Sequence, residues 1–356
     1  MSSVEIMKLI QGNVLSLKPY HVESTDCEIK LHANENPFPP SKELLELFSS
    51  SLQKLQLNRY PDPDSRALKD SIANRLGIET KHLVIGNGSD EIILFLLQVF
   101  CQKGDTITFP DPTFSMYSII AQSLGIKSVS ISLDNHWDFS ADVILQSAEE
   151  NNSKIIFLSY PNNPTGNCFS DTQVQKVIDN FQGIVVIDEA YHDFSRKSFV
   201  NQIKEHNNLI VLRSLSKIGL AALRVGFGVA DPLVISEINK VRLPYNSNTI
   251  SQAFAENLIT NFEAVQTQIN SILDERHRLL DELHKIESVT AFPSDSNFIL
   301  FKTKQPAGSI FAFLSKNGIL VRNLSSHPKL INCLRVTVGT KSENDRFLSK
   351  LKDFKN

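Results

Sequence analysis

Short apolar segments alternate with amphipathic segments through the first two thirds of this chain. Apolar runs rich in β-branched residues occupy 83–86, 106–109, 128–133, 154–160, 184–188, 209–214 and 224–230. Several of these runs lack polar alternation, which is typical of strands that are covered on both faces. Segments with helical spacing of apolar residues lie at 65–76, 89–101, 113–124 and 171–181. We therefore expect an α/β fold in which a mostly parallel central sheet has helices on both sides.

The pattern changes after about residue 231. A helical stretch over 248–286 is followed by short strands at 297–301, 319–322 and 334–339. A chain of 356 residues exceeds the size of one compact core, so two domains are expected. We predict an N-terminal segment that joins the smaller domain, a large domain and a small α+β domain, over residues 1–40, 41–245 and 246–356.

The composition indicates that the binding partners of this protein are small molecules. The net charge of −3 gives no basic surface for nucleic acid. Apolar runs such as IILFLL are far shorter than the ~20 residues of a membrane span, and the N-terminus lacks a secretory h-region. The cysteines Cys27, Cys101, Cys168 and Cys333 have no metal-binding spacing. We expect a cytoplasmic protein with free thiols and no metal.

Four of the predicted strands lead directly into polar sequence. The polar segments are 87–90, 161–166, 188–191 and 214–217. In open parallel sheets, ligands bind beyond the carboxyl ends of the strands. These four segments therefore predict a single binding cleft.

The first polar segment, within GNGSDE (86–91), suits an anion. A glycine-rich turn between a strand and a helix presents backbone N–H groups, and Ser89 adds a hydroxyl. The segment matches neither G-x-G-x-x-G nor a P-loop. An ordinary turn with a Ser or Asp N-cap is an equally good interpretation.

Asp188 follows four apolar β-forming residues, so we expect it at a buried strand end. Its carboxylate could cap a helix, form an ion pair in a loop, bind a metal or hold a proton on a ring nitrogen. A metal needs companion ligands, and the nearby sequence offers no familiar set.

Lys217 lies in SLSKIGLAALR (214–224), among apolar residues. A lysine in a largely apolar pocket tends to hold its amine uncharged and becomes a nucleophile. Pyridoxal phosphate offers an aldehyde, a phosphate and a pyridinium nitrogen. Lys217 would take the aldehyde and Asp188 the pyridinium, and the phosphate would bind Ser89, Ser214, Ser216 and Arg224. The alternative is a surface lysine between helices.

The chain resembles the fold-type I aminotransferases that depend on pyridoxal 5'-phosphate, and within their class-II branch the histidinol-phosphate aminotransferases. The resemblance covers nearly the full length. Its motifs are LKPY (17–20), ANENPFPP (33–40), RYPDP (59–63), GNGSDE (86–91), PTFSMY (112–117), PNNPTGN (161–167), DEAY (188–191), SLSK (214–217) and LRVTVGT (334–340).

The resemblance implies how the cofactor is held. Lys217 would form the Schiff base and move the substrate Cα proton, Asp188 would pair with the pyridinium nitrogen, and Tyr191 and Asn163 would hydrogen-bond the ring oxygen. Phe114 would stack on the ring, where many relatives have Tyr. The phosphate would be bound by Gly88, Ser89, Asp90, Ser214, Ser216 and Arg224. Lys217 and Arg224 are one residue closer than in the commoner family pattern, which predicts a tighter turn.

The resemblance also implies substrate and subunit contacts. Arg335 would bind the glutamate carboxylate, because a planar guanidinium can donate two parallel hydrogen bonds to a carboxylate. Arg322 and Tyr20 would bind the phosphate of histidinol phosphate. Tyr60 would reach the cofactor phosphate of a neighbouring subunit, which implies a homodimer. Surface or interface ion pairs are the alternative for both arginines.

The implied reaction, in histidine biosynthesis, converts imidazole acetol phosphate and glutamate to histidinol phosphate and 2-oxoglutarate. An aromatic amino acid aminotransferase or a threonine-phosphate decarboxylase of the same fold shares most of these motifs. A non-catalytic sensor that binds pyridoxal phosphate would need an added DNA-binding domain, and only about 40 irregular residues precede the first family helices.

Overall fold

The structure of this chain, a computed structural model, describes residues 3–19 and 26–354. Its strands are β1 (Ile29–Lys30), β2 (Leu83–Asn87), β3 (Thr106–Asp111), β4 (Lys127–Ser132), β5 (Ser153–Ser159), β6 (Ile184–Asp188), β7 (Leu209–Ser214), β8 (Val225–Val229), β9 (Val289–Ala291), β10 (Phe298–Thr303), β11 (Ile319–Leu320), β12 (Arg322–Asn323) and β13 (Cys333–Thr337).

The α-helices of these residues are α1 (Ser3–Met7), α2 (Gly12–Leu15), α3 (Lys42–Lys54), α4 (Arg66–Leu76), α5 (Ser89–Phe100), α6 (Met116–Ser123), α7 (Ala141–Glu150), α8 (Asp171–Asn180), α9 (His192–Ser195), α10 (Pro232–Val241), α11 (Thr249–Thr260), α12 (Glu263–His284), α13 (Ala307–Lys316) and α14 (Lys341–Asp353). None of the helices in this part of the chain combines the length and the apolar character that a membrane crossing requires.

Seven strands form the central sheet, in the order β2-β8-β7-β6-β5-β3-β4. The strands from β3 to β7 pair in parallel, whereas β8 runs antiparallel to both of its neighbours, β2 and β7. The predicted α/β fold with a mostly parallel sheet is confirmed. Because β8 is reversed, its first residue, Val225, lies at the edge where the other strands end, opposite Asn87. This reversal brings the preceding Arg224 to the carboxyl edge of the sheet.

Both faces of the central sheet are buried. On β5, Ile155 and Phe157 pack in one hydrophobic cluster with α5 and α6. Their neighbours Ile156 and Leu158 pack in a second cluster with α7 and α8. Full burial of one such side chain stabilises the fold by about 2 kcal/mol. Burial on both faces explains why these strands have no polar alternation.

A second, antiparallel sheet has the order β12-β13-β10-β9, and β1 pairs with β11 in parallel. Leu31, which follows β1, donates its N–H to the Leu320 carbonyl oxygen and accepts a hydrogen bond from the Thr337 N–H. This part of the N-terminal segment therefore lies between β11 and β13. The predicted domain boundaries near residues 40 and 245 stay a prediction.

Two elements differ from the sequence-based prediction. The helical stretch expected over 248–286 is present but is divided into two helices, because α11 ends at Thr260 and α12 begins at Glu263. Between the two helices Asn261 leaves the helical conformation, with φ −113° and ψ 42°, and Phe262 turns into the core. The single strand expected over 319–322 is two short strands, β11 and β12, which pair with different partners.

Candidate active site

A cleft of about 480 Å³ lies beyond the carboxyl ends of the central strands, and the second sheet contributes its far wall. Most of the residues singled out in the sequence line this cleft. They are Ser89, Asp90, Phe114, Asn163, Asp188, Tyr191, Ser214, Ser216, Lys217, Arg224, Arg322 and Arg335. The structure therefore brings together residues that lie up to 246 positions apart in the chain (Ser89 to Arg335).

Lys217 closes a short 3₁₀ turn, Leu215–Lys217, that follows β7 directly. Its Nζ donates a hydrogen bond to the Ala33 carbonyl oxygen at 3.3 Å and lies 5.6 Å from the centre of the Tyr191 ring. Leu215 and Ile218 pack in the core instead. The pocket around Lys217 is less apolar than expected, because polar and apolar surface contribute about equally to the cleft wall and the apolar neighbours in sequence lie on the other side of the turn.

Asp188 is the last residue of β6 and is 3% exposed. Its carboxylate accepts hydrogen bonds from the Tyr117 hydroxyl at 2.8 Å and from the Ala190 backbone N–H at 3.1 Å. Burial raises the pKa of Asp188 to about 6. Burial also raises the pKa of Tyr117 well above its usual range, so Tyr117 stays a donor. Tyr117 belongs to the PTFSMY motif, but no role is predicted for it from the sequence; its hydroxyl within an otherwise apolar helix was the available signal.

Among the described residues, no basic side chain pairs with the Asp188 carboxylate. Its hydrogen bonds come from a phenol and a backbone amide. Within residues 3–19 and 26–354, no three His, Cys, Asp or Glu side chains gather as they would around a metal ion. A buried carboxylate is costly without a cation. Its position on the cleft wall therefore suits a ligand with a cationic atom.

A polar cradle forms where β2, β7 and β8 meet. Ser89 is the first residue of α5, so N–H groups of a helix N-terminus point into the cradle. Ser214 Oγ accepts a hydrogen bond from the Ser216 N–H at 3.2 Å. Arg224 donates from Nη1 to Ser216 Oγ at 3.1 Å and from Nη2 to Asp90 Oδ2 at 3.3 Å. Hydroxyls, amides and a guanidinium in this arrangement suit a phosphate group.

The shorter spacing between Lys217 and Arg224 does not keep Arg224 from the cradle. A 3₁₀ turn over Ala221–Leu223 is followed by Arg224 in the left-handed region, at φ 54°. The guanidinium packs against Gly88, where a Cβ would lie 2.6 Å from Arg224 Nη2. Glycine at position 88 thus gives the arginine the space that it needs.

Gly226, on β8, is a site position that sequence analysis missed. A Cβ there would lie 2.4 Å from the Ser89 nitrogen and 2.5 Å from the Gly88 carbonyl carbon. Because both are backbone atoms, we expect Gly226→Ala to displace the turn and to weaken binding of pyridoxal phosphate by about tenfold or more. Absorbance titration of the cofactor-free protein measures this affinity.

The matched control is Gly228→Ala, two residues further along the same strand. A Cβ at Gly228 would meet side-chain atoms, the nearest being Val84 Cγ1 at 3.1 Å. We expect this variant to retain close to native cofactor affinity. Equal losses in the two variants would show that contact with the Gly88–Ser89 backbone is not the cause.

Arg322 on β12 and Arg335 on β13 are direct cross-strand partners. Both side chains line the cleft. Arg335 donates from Nη2 to the His32 carbonyl oxygen at 2.8 Å and from Nη1 to the Asn163 amide oxygen. These bonds hold Arg335 in place, and its guanidinium suits an anionic substrate group.

Residues 32–34 contact three of the predicted site residues. These contacts were not predicted from the sequence. The His32 carbonyl accepts from Arg335, and the Ala33 carbonyl accepts from Lys217. Asn34 Nδ2 donates to the Tyr191 hydroxyl at 2.9 Å. The motif at 33–40 marked this segment, but no local signal reveals partners that lie more than 150 residues away.

The remaining predicted residues differ in their placement. Phe114 lines the cleft with its ring edge-on to Tyr117, at 5.5 Å between ring centres. Tyr60 lies outside the cleft of its own chain: it is 81% exposed and stacks on Tyr245 at 4.6 Å. Tyr20 lies outside the described residues.

The family model for aminotransferase class I and II matches residues 27–351. The chain belongs to the aminotransferase class I and II family. Histidinol-phosphate aminotransferase 2 of Nitrosococcus oceani is 38% identical over 355 residues, 99% of each chain. Histidinol-phosphate aminotransferase of Aquifex aeolicus is 39% identical over 346 residues, 97% of this chain and 98% of that relative.

Solved structures agree on the fold. Histidinol-phosphate aminotransferase from Sinorhizobium meliloti, solved in complex with pyridoxal-5'-phosphate, has a TM-score of 0.88 to this chain at 20% sequence identity. The superposition covers 97% of this chain and 96% of that one. The fold-type I architecture expected from the sequence is confirmed.

Proposed function

We propose that this protein is a transaminase dependent on pyridoxal phosphate that transfers an amino group between histidinol phosphate and 2-oxoglutarate. The observation that carries the proposal is that one cleft presents a lysine amine, a buried carboxylate, a phosphate cradle and a pair of arginines. Relatives that are 38% and 39% identical over nearly the full chain are named for this reaction, which supports the choice of substrate.

The cleft fits pyridoxal phosphate at three points. The Asp188 carboxylate has no cationic partner among the described residues and would pair with the ring nitrogen. Gly88 and Gly226 leave a bare backbone at the cradle, where a Cβ would collide. Lys217 would meet the aldehyde. The residues proposed to hold the cofactor are Gly88, Ser89, Asp90, Phe114, Asn163, Asp188, Tyr191, Ser214, Ser216, Lys217 and Arg224, with Tyr60 from a second copy.

When bound, pyridoxal phosphate supplies an aldehyde for amines and a ring that withdraws electrons from the substrate Cα. Lys217 would act first as the nucleophile and then as the base that takes the Cα proton onto Nζ. The Ala33 carbonyl orients Nζ by accepting its hydrogen bond. Asp188, oriented by the Tyr117 hydroxyl, would keep a proton on the ring nitrogen.

The arginine pair would serve both half-reactions. Histidinol phosphate carries a phosphate away from its amine, and glutamate carries a side-chain carboxylate. Arg335 would grip either anion in a planar, bidentate fashion. Arg322, its cross-strand partner, would bind the phosphate together with Tyr20.

Steady-state rates with a panel of amino donors test this proposal. With 2-oxoglutarate as acceptor, we expect kcat/KM for histidinol phosphate to exceed that for phenylalanine by about tenfold or more, because phenylalanine offers the arginines a single carboxylate charge in place of a phosphate dianion. With threonine phosphate we expect no release of carbon dioxide. If histidinol phosphate were the poorest donor, or if threonine phosphate were decarboxylated, the proposal would be wrong.

The proposed assembly is a homodimer. Tyr60 and Tyr245 form an exposed aromatic pair, and Leu57 and Leu243 nearby are 65% and 71% exposed, which is typical of a contact surface. Tyr60 would reach the cradle of the second copy. Sedimentation equilibrium should give twice the chain mass, and a stable, active monomer would contradict the proposal. The cytoplasmic location is also proposed, and cell fractionation tests it.

A further inference from the structure

The Tyr191 hydroxyl, on the wall of the cleft, accepts a hydrogen bond from a residue that is distant in the chain. The donor is Asn34 Nδ2, at 2.9 Å. A phenol oxygen can accept a hydrogen bond and still donate its own proton. Among the described residues, no acceptor for that proton lies within hydrogen-bond distance. The Tyr191 proton is therefore left for a ligand in the cleft.

The neighbours of Asn34 decide which way its amide points. Thr337 Oγ1 accepts from the Asn34 backbone N–H at 3.0 Å and donates to Asn34 Oδ1 at 3.2 Å. With the amide turned over, this buried hydroxyl would lose the acceptor for its proton, which is unfavourable. The amide oxygen therefore faces Thr337, and the amide nitrogen faces Tyr191.

Both partners are fixed in place. Asn34 is 1% exposed, and its carbonyl oxygen accepts from Asn297 Nδ2 at 3.0 Å. Its φ of 55° lies in the left-handed region, which asparagine adopts more readily than most residues. The Tyr191 ring is buried edge-on to Phe298, with 5.2 Å between the ring centres. The contact between Asn34 and Tyr191 thus belongs to the folded protein and does not wait for a ligand.

We propose that Asn34 is a positioning residue: it donates to the Tyr191 oxygen and so directs the Tyr191 proton to the ring oxygen of pyridoxal phosphate. The inference rests on the proposed function, in which Tyr191 bonds that oxygen. The ring oxygen carries its full negative charge when the nitrogen that joins Lys217 to the cofactor has lost its proton. A donor at the oxygen stabilises that form, so Asn34, through Tyr191, lowers the pH at which this nitrogen titrates.

Asn34→Asp tests this role, because aspartate keeps the shape and suits the left-handed backbone. A carboxylate only accepts, so it would draw the Tyr191 proton away from the cofactor. We expect the pH midpoint of the cofactor's absorbance change, measured without substrate, to rise by about one unit, and Tyr191→Phe to raise it similarly. Asn180→Asp, at an exposed asparagine that ends α8, is the control and should leave the midpoint unchanged.

A double variant separates action through Tyr191 from the direct effect of the added charge. In Tyr191→Phe, the further change Asn34→Asp should raise the midpoint by less than about half a unit, because only the charge then acts. The other charged or titratable side chains of the cleft stay the same in every protein compared. They are Asp90, Asp188, Arg224, Arg322, Arg335, His32 and His327. Equal rises with and without the Tyr191 hydroxyl, or no rise in Asn34→Asp, would overturn the inference.

Asn34→Gly carries the same comparison if Asn34→Asp does not fold, because glycine accepts the left-handed backbone and has no side-chain donor. We expect a rise of about half a unit with Tyr191 and no measurable rise with Tyr191→Phe. The same size of rise in both backgrounds would again overturn the role of Asn34.

The two proposals fail in different ways. If the native protein shows no absorbance band that depends on Lys217, the proposed use of pyridoxal phosphate is wrong whatever Asn34 does. If the band is present and titrates, and the effects of the Asn34 and Tyr191 substitutions simply add, only the role of Asn34 is wrong.

Discussion

Replacing Lys217 with alanine should lower the rate of transamination by a factor on the order of 10⁴ or more. The substitution removes the nucleophile and the base together, and among the described residues Lys217 is the lysine that lines the cleft. The variant should also lose the cofactor during gel filtration, since the remaining contacts are non-covalent. Steady-state rates and the absorbance of the eluted protein measure the two effects.

Two further variants are compared with Lys217→Ala. Lys217→Arg keeps a long basic side chain but offers no nucleophilic amine, so we expect it to be as inactive as Lys217→Ala. Lys302→Ala removes an exposed lysine on β10 and should retain native activity. Activity in Lys217→Ala within about tenfold of the native rate would contradict the proposed role of this amine.

Replacing Asp188 with asparagine should lower kcat by about 10³, the size of effect seen when one preorganised electrostatic group is removed from an active site. Asparagine keeps the shape of the side chain and can still accept from the Ala190 N–H. It cannot hold the proton on the ring nitrogen of the cofactor. Stopped-flow measurement of each half-reaction should show the loss in both, because both need the electron-withdrawing ring.

The same substitution should stabilise the cofactor-free protein at neutral pH. Burial raises the pKa of Asp188 to about 6, so the charged carboxylate is less favourable in the folded than in the unfolded chain. This penalty is absent at low pH and grows as the pH rises to about 6, where it approaches ~3 kcal/mol. The Asp188→Asn substitution would remove this penalty, because an amide carries no charge.

Urea unfolding of the native and Asp188→Asn proteins, both free of cofactor, tests whether the substitution raises the free energy of unfolding. We expect the variant to be the more stable at pH 7 and the difference to shrink toward about pH 4. A variant that is less stable than the native protein at pH 7 would contradict the cost assigned to the buried carboxylate.

The central sheet could be predicted because its signal is local. Strands such as β5 and β6 are buried on both faces, so each appears as an unbroken apolar run in the sequence. Helices α7 and α10 were not expected, although α10 begins with a recognisable signal, an Asp231 cap followed by Pro232. The break between α11 and α12 has neither Pro nor Gly; Asn261 ends α11, and Phe262 beside it is buried in the core.

The active site likewise has residues that the sequence could predict and contacts that it could not. Asp188 and Ser214 end strands, and Lys217 lies three residues beyond the end of β7. Strand ends in an open sheet converge on one edge, so sequence order alone placed these residues together. The contacts of Ala33 with Lys217 and of Gly226 with the Ser89 turn join distant segments. Only packing of the whole chain reveals those contacts, and the roles of Tyr20 and Tyr60 stay predictions.

The most direct test of the central claim is the identity of the nitrogen that holds the cofactor. The protein is reconstituted with pyridoxal phosphate, reduced with borohydride to fix any bond between an amine and the aldehyde, digested, and mapped by mass spectrometry. We expect the pyridoxyl group on Lys217 alone. A label on another lysine, or none on the peptide that contains Lys217, would contradict the assignment of this cleft as the active site.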